Sequence, residues 1–317
     1  MPGLIEVVIP AWNAGRFLRR TLESVAAQTR PPDLVTVVDD ASRDDTVAVA
    51  GACARDLGDR ITIRLLRNAG PRGPSAARNT AIRQSEADWI ALLDADDLLA
   101  PGHHAALRRA VAAADDVVLG FGDSTVFCGE RTLVPSFLAA GGVAARPAAE
   151  LAPGCWTLGE AMFPALLGSG VFATSACLFR RTAAEAAGLF DETMLRCEDT
   201  DFFLRLALAG RFAFTREVVT HKRVHDDNLS HERHRLAFCR GTAVSLAKLM
   251  ALPGLAAAQS AALQTAFAAA LDGYLYNASR AGLPAYWQAA GLARRTRRTA
   301  RAADPRHLAR LALRKFL

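Results

Sequence analysis

Residues 88–103, DWIALLDADDLLAPGH, carry an apolar run from Trp89 to Leu93 straight into three carboxylates, Asp94, Asp96 and Asp97. Strands often exit into polar turns, and Asp suits turns and helix starts, so a single acid there would mean little. Three within four residues repel one another and raise one another's pKa. Such crowding at the end of a core strand calls for a positive partner, and a divalent cation fits.

Outward from this stretch the first half of the chain alternates between two periodicities. IEVVIP (5–10), LVTVVDD (34–40), ITIRLL (61–66) and DWIALLD (88–94) read as short strands. Between them lie helical segments: one with Phe17, Leu18, Thr21, Leu22 and Val25 at helical spacing, one from Asp44 to Leu57, and PSAARNTAIRQS (74–85). A fourth runs from Pro101 to about Ala113, with Pro suited to its first turn. Alternation with such short connections predicts an α/β fold, a mainly parallel sheet flanked by helices on both faces. Ligands then bind beyond the carboxyl ends of the strands, where Pro10 to Asn13, Asp39-Asp40, Asn68 and Asp94 to Asp97 converge.

The second half is less regular. DVVLGFG (116–122), STVFCGERTLV (124–134) and GVFATSACLFRR (170–181) read as strands, residues 139–154 as a loop, and EDTDFFLRLALAG (198–210) as a helix ending at Gly210. KRVHDDNLS (222–230) lies past the predicted strands and is polar throughout, as a closing lid should be. Beyond Leu229 the chain is Ala-rich and helical. The expected division is a domain over 1–230, with halves near 1–122 and 123–230, and a helical extension over 231–317.

Composition adds bounds. Hydrophobic residues at 51% and charged residues at 22% are ordinary for a globular chain. The net charge of +6 is uneven: residues 290–317 hold nine Lys or Arg against Asp304, which is +8 and leaves −2 for the rest. The N-terminus lacks a charged leader with a long apolar segment, and no stretch offers about twenty uninterrupted apolar residues. The six cysteines are scattered without metal-ligand spacing, as expected of reduced thiols in the cytoplasm.

VVIPAWNAGRFLRRTLESVAAQT, VVDDASRDDT, NAGPRGPSAARNTAI, WIALLDADD, GLFDE, CEDTDFFLRLALAG and RVHDDNLS follow in an order that resembles a family 2 glycosyltransferase of the GT-A fold, from Ile5 to Ser230. The resemblance implies a Rossmann-like sheet, a nucleotide-sugar donor, usually UDP-linked, a Mn²⁺ or Mg²⁺ ion, and transfer with inversion. It implies that Asp40 reads the base, helped by the backbone near Pro10 and Ala11 and by Asn13, Asn68 and Arg78. It implies that Asp94-Ala95-Asp96 form the DxD element, with Asp96 and Asp94 as metal ligands. Asp199 matches the catalytic base, with Glu198 orienting it or meeting the acceptor. Arg223, His225 and Ser230 match a segment over the diphosphate, with His225 a further metal candidate.

Chemistry supports these roles independently. A leaving nucleoside diphosphate gains negative charge, and hard cations that offset it prefer carboxylate oxygens. An acceptor hydroxyl is a poor nucleophile, and a positioned carboxylate takes its proton as it attacks. Acids opening a helix also suit its positive end without any catalytic role. Arg78 sits in a helical run where a solvated face is the bland alternative. Trp12, beside the proposed base-binding turn, suits either ligand stacking or core packing.

The acceptor, whether saccharide, lipid-linked or a small molecule, leaves no readable pattern. Arg306, Arg310 and Arg314 recur every four residues near Leu308, Leu311 and Phe316. Such a tail suits peripheral contact with the inner face of a membrane, a homo-oligomer contact, or a solvated outer helix. Nothing else points to nucleic acid. A metal-dependent nucleotidyltransferase would want a Gly-rich basic loop where this chain has PAWNAG, and a dehydrogenase would want G-x-G-x-x-G there. A catalytically silent sugar-nucleotide-binding or scaffolding relative leaves the retained acids unexplained.

Overall fold

The computed structural model describes residues 3–168, 170–226 and 234–313, so Ser230 lies outside the described residues, as do Arg314, Lys315 and Phe316. β1 (Ile5–Ala11), β2 (Leu34–Asp39), β3 (Ile63–Arg67) and β4 (Trp89–Leu92) form the expected parallel run in the order β3-β2-β1-β4. The helices between and after them are α1 (Gly15–Ala26), α2 (Thr46–Asp56), α3 (Pro74–Ile82) and α4 (His103–Val111). Alternate residues of β1, namely Ile5, Val7, Ile9 and Ala11, face one core cluster with Leu18, Leu22 and Val25 of α1 and Leu107 and Ala110 of α4. The helix α3 packs against β1 and β2.

Beyond β4 the sheet changes character. It continues through β5 (Leu98–Leu99), β6 (Val117–Cys128), β7 (Arg131–Val134), β8 (Ala149–Ala152), β9 (Cys155–Thr157), β10 (Cys177–Arg180) and β11 (Arg211–Arg223). The full order is β3-β2-β1-β4-β10-β6-β11-β9-β8, with β5 on β11 and β7 on β6. Strand β10 runs antiparallel to both β4 and β6, whereas β6 and β11 are parallel. The reversal follows from where β10 starts. A 3₁₀ turn, Thr174–Ala176, delivers the chain at the carboxyl end of β4, where Ser175 Oγ accepts from Asp94 N at 3.0 Å.

Several expected boundaries move. The two apolar runs of 116–134 resolve into the long β6 and the short β7, joined through Gly129 at φ 59°. The 139–154 link, expected as a loop, contains β8. The strand expected over 170–181 shrinks to β10, because the residues before it wind as 3₁₀. Lys222 and Arg223, read as the start of a lid, are instead the last residues of β11, paired in register with Val126 and Phe127. Gly120 permits the close approach of α4, since a Cβ there would lie 2.8 Å from Val111 Cγ1.

The remaining helices are α5 (Phe137–Ala140), α6 (Met162–Leu166), α7 (Arg181–Ala186), α8 (Glu198–Leu206), α9 (Arg235–Leu249), α10 (Ala257–Ala281), α11 (Leu283–Arg295), α12 (Thr299–Ala302) and α13 (Pro305–Leu313). The chain divides into one unit of Met1–Thr193 with Phe202–His225 and a second of Met194–Asp201 with Asp226–Leu317. In the first, a relay of stacked and tilted rings, Phe214, Phe121, Phe172, Phe203, Phe202 and Phe190, crosses the core from β11 to α8 and the segment before it. In the second, Leu263, Phe267, Leu271, Leu275 and Ala278 of α10 recur at helical spacing and are buried. Among the described residues no helix is long and apolar enough to cross a membrane.

The start of α4 buries His103, whose Nδ1 donates to Val219 O at 3.1 Å. Burial pushes its pKa down from 6.5 to about 4. The unfolded chain therefore takes up this proton first as pH falls, so the stability present above pH 6.5 declines until about pH 4. That shift corresponds to about 3 kcal/mol. Thermal melts across this window are expected to fall steeply for the wild type and less steeply for His103→Leu; parallel slopes would refute the assignment.

Candidate active site

The carboxyl ends of β1, β2 and β3 are laced together by backbone bonds, Asp40 N to Ala11 O at 2.8 Å and Asn68 N to Asp39 O at 2.8 Å. Asp40 is buried between two donors: Asn68 Nδ2 reaches one oxygen at 2.6 Å and Gly73 N the other at 2.8 Å. Gly73 has φ 140°, a conformation glycine adopts without strain. Asn13, itself at φ 48°, donates its N–H to Ser42 Oγ at 3.0 Å and accepts from Arg43 N at 2.8 Å. Its side chain thus ties the loop after β1 to the loop after β2. Pro10 and Ala11 close β1 opposite Val38 and Asp39. Trp12 is 52% exposed, which excludes core packing, and the Arg72 guanidinium lies 5.4 Å from its ring centroid.

The acidic turn after β4 is built from three differently held carboxylates. Asp94 accepts from Arg78 Nη2 at 2.9 Å and remains one-third exposed. Arg78 is buried, as is every residue of α3 from Ser75 to Ile82, so a solvated face is excluded. Its guanidinium lies over the Phe190 ring at 5.3 Å. Asp96 Oδ2 meets His225 Nε2 at 2.8 Å, and the His225 ring lies 4.7 Å from that of Phe17. Ala95 is buried and its carbonyl accepts from Thr21 Oγ1 at 2.9 Å. Asp97 is an anchor: its oxygens accept from Ser175 Oγ at 2.6 Å and Arg223 N at 2.8 Å.

The electrostatics answer the question that the sequence poses. Burial, then the Asp96 and Asp94 charges, push the Asp97 carboxyl up to about 8. Burial and the charge of Asp94 also raise Asp96, although His225 opposes the shift. Burial and the neighbouring acids therefore both disfavour full ionisation of the turn. Arg223 is buried, donates Nε–H to Asp96 O at 2.8 Å, and lies over the rings of Phe127 at 4.6 Å and Phe17 at 5.0 Å. Its buried Nη2 has no hydrogen-bond partner among the described residues.

Glu198 and Asp199 open α8 in the second unit. Glu198 is buried, whereas Asp199 is half-buried and accepts from Thr200 N at 2.7 Å. Asp201 is structural, accepting from Ser245 Oγ at 3.1 Å. Cys197, at φ 60°, precedes them with its thiol pushed up to about 12, chiefly by burial, and is therefore no nucleophile at neutral pH. Sequence reasoning missed Ser175 and misplaced Phe17. The first is a polar residue inside an apolar run, and the second lies just off the buried stripe of Leu18, Leu22 and Val25. Both positions were legible signals.

Residues 6–136 match glycosyl transferase family 2. Succinoglycan biosynthesis protein ExoU of Rhizobium meliloti is 40% identical over 101 residues, 32% of this chain and 28% of that protein. Poly(ribitol-phosphate) beta-N-acetylglucosaminyltransferase TarS of Staphylococcus aureus is 30% identical over 113 residues, 35% of this chain and 19% of that protein. The matches thus span under a third of these relatives' lengths. The structure of S. aureus TarS 1-349 in complex with UDP-GlcNAc superposes with a TM-score of 0.62 at 17% identity, covering 86% of this chain and 73% of that one. Mannosyltransferase PcManGT from Pyrobaculum calidifontis, in complex with GDP-Man and Mn2+, gives 0.60 at 21% identity, covering 100% and 88%. Residues 6–136 thus carry the match to glycosyl transferase family 2, and the sheet that bears the acidic turn has the GT-A-type fold of these structures.

Proposed function

We infer that this chain moves a sugar from a nucleotide-sugar donor, a UDP-sugar, to an acceptor hydroxyl on a saccharide, lipid-linked glycan or small molecule, with inversion at the sugar carbon. One observation supports the reading: Asp40 follows β2 and Asp94 and Asp96 follow β4, at the carboxyl ends of parallel strands within the matched residues 6–136, with His225 on Asp96. Relatives of similar fold bind UDP-GlcNAc and GDP-Man, which supports the donor class.

Each residue has defined work in this reading. Asp40 uses one lone pair on each oxygen for Asn68 and Gly73, and the remaining lone pairs suit the N3–H of uracil. Trp12 offers an exposed ring face for the base, backed by Arg72. Arg223 offers its unpaired Nη2 to the diphosphate. Asp199 takes the acceptor proton as the hydroxyl attacks, and Glu198 holds it in place.

The residues fit a divalent metal. Among the described residues no three His, Cys, Asp or Glu form a closed cage, but Asp96 and His225 already meet at one point beside Asp94. Mg²⁺ and Mn²⁺ sites of this kind complete themselves with substrate phosphates and water. Asp96, with Asp94 and His225, would hold the ion, which supplies charge stabilisation to the departing diphosphate.

Three outcomes test the reading. Asp199→Asn should lower the transfer rate by about 10²–10⁴ while UDP affinity by calorimetry stays within about threefold; normal turnover would remove Asp199 as base. Asp96→Ala should weaken UDP binding in Mn²⁺ by about tenfold or more, with little change in its absence, and an unaltered metal dependence would count decisively against the ligand role. Asp40→Ala should lower affinity for UDP about equally with and without Mn²⁺, which a titration of both states reads directly.

A further inference from the structure

In α11 the buried side chains Tyr286, Ala289, Leu292 and Ala293 occupy one face. On the opposite face Trp287 is 70% exposed, the most exposed large apolar side chain among the described residues, and Leu283 is 46% exposed. At about 100° per residue, Leu283, Trp287 and Arg294 fall within about 40° of arc, and Arg295 beside Arg294 is exposed as well. One face therefore carries an apolar end and a cationic end along a single helix.

The surrounding charge is one-sided. From 280 to 310 there are eight arginines (280, 294, 295, 297, 298, 301, 306 and 310) and one acid, Asp304, which is +7. Arg301 pairs with Asp272 and Arg306 with Asp304. Among the described residues, Arg294, Arg295, Arg297 and Arg298 pair with no acid.

We propose that this face of α11 docks on an anionic membrane surface, with Leu283 and Trp287 entering the interface and Arg294 and Arg295 meeting lipid headgroups. Both chemistries occur together at such a surface. Trp is favoured at the boundary between acyl chain and headgroup, and basic residues are drawn to anionic lipid. A second copy on a twofold axis would set the same uncompensated arginines against one another, since such an interface is self-complementary. A nucleic acid would engage the arginines and leave Leu283 in water. This proposal is independent of the transfer reaction.

The test is flotation of the full chain with vesicles of phosphatidylcholine alone and with equimolar phosphatidylglycerol, alongside calorimetric UDP binding. The wild type should float with the anionic vesicles only and be released by salt. Trp287→Ser should reduce binding roughly fivefold and the pair Arg294→Gln/Arg295→Gln about tenfold. Melting temperature and UDP affinity should be unchanged, because all three side chains are exposed. Wild-type binding by the Trp287 variant, or equal binding to neutral vesicles, would overturn the proposal. So would a dimer that dissociates in sedimentation on Trp287→Ser, or capture of a single-stranded oligonucleotide where no vesicle binds.

Discussion

The buried carboxylate of Asp97 holds the acidic end of the sheet together. Its two oxygens accept from the side chain of Ser175 and the backbone of Arg223, so the turn after β4, the turn before β10 and the end of β11 share one residue. Strand pairing brings these segments together, β10 on β4 and β5 on β11, and Asp97 ties their ends by its side chain. Losing one partner of a buried polar group costs about 1–3 kcal/mol, a large fraction of a domain's net stability. With Asp97 fixed, Asp94 and Asp96 remain partly exposed beside it.

Each of those two acids is braced from a different direction. Asp94 leans on Arg78, which rests on the Phe190 ring. Phe190 is in turn gripped by Asn79, which accepts from its N–H at 3.0 Å and donates to its carbonyl at 2.8 Å while also reaching Glu192 at 2.8 Å. That bracket accounts for the GLFDE segment, whose part is to support the site from beneath. Asp96 leans on His225, which packs on Phe17, and Arg223 packs on the same ring. The two carboxylates are thus held by different elements, Asp94 by an ion pair with Arg78 of α3 and Asp96 by His225 beyond β11.

The parallel half of the sheet was legible because its strands are continuous apolar runs separated by single amphipathic helices, a pattern that local periodicity reports faithfully. The acidic turn was legible because charge crowding is a local property too. What local reading could not reach was long-range: Asp97 and Ser175 are 78 positions apart, and Asp96 and His225 are 129 apart. Arg78 looked like one more arginine on a helix because nothing nearby shows that α3 is buried on all sides. Arg223 looked like lid because its segment is polar, yet pairing with β6 makes it strand. Polar residues buried by partners far along the chain defeat periodicity.

The two ends of a bound donor would meet different physics. Asp40 is satisfied by neutral donors, an amide and a backbone N–H, so in the proposed reading recognition of the base would need no counter-charge. The Asp94–Asp97 turn is the reverse case, with Asp96 and Asp97 lifted in pKa by burial and by the acids beside them. In the reaction proposed above, Asp94 and Asp96 would hold a cation that offsets this crowding and stabilises the diphosphate, and binding of the two would be mutually favourable, as linkage requires. In that reading base recognition and phosphate recognition would be separable, one neutral, the other dependent on charge balance, and both would rest on the ends of the parallel strands.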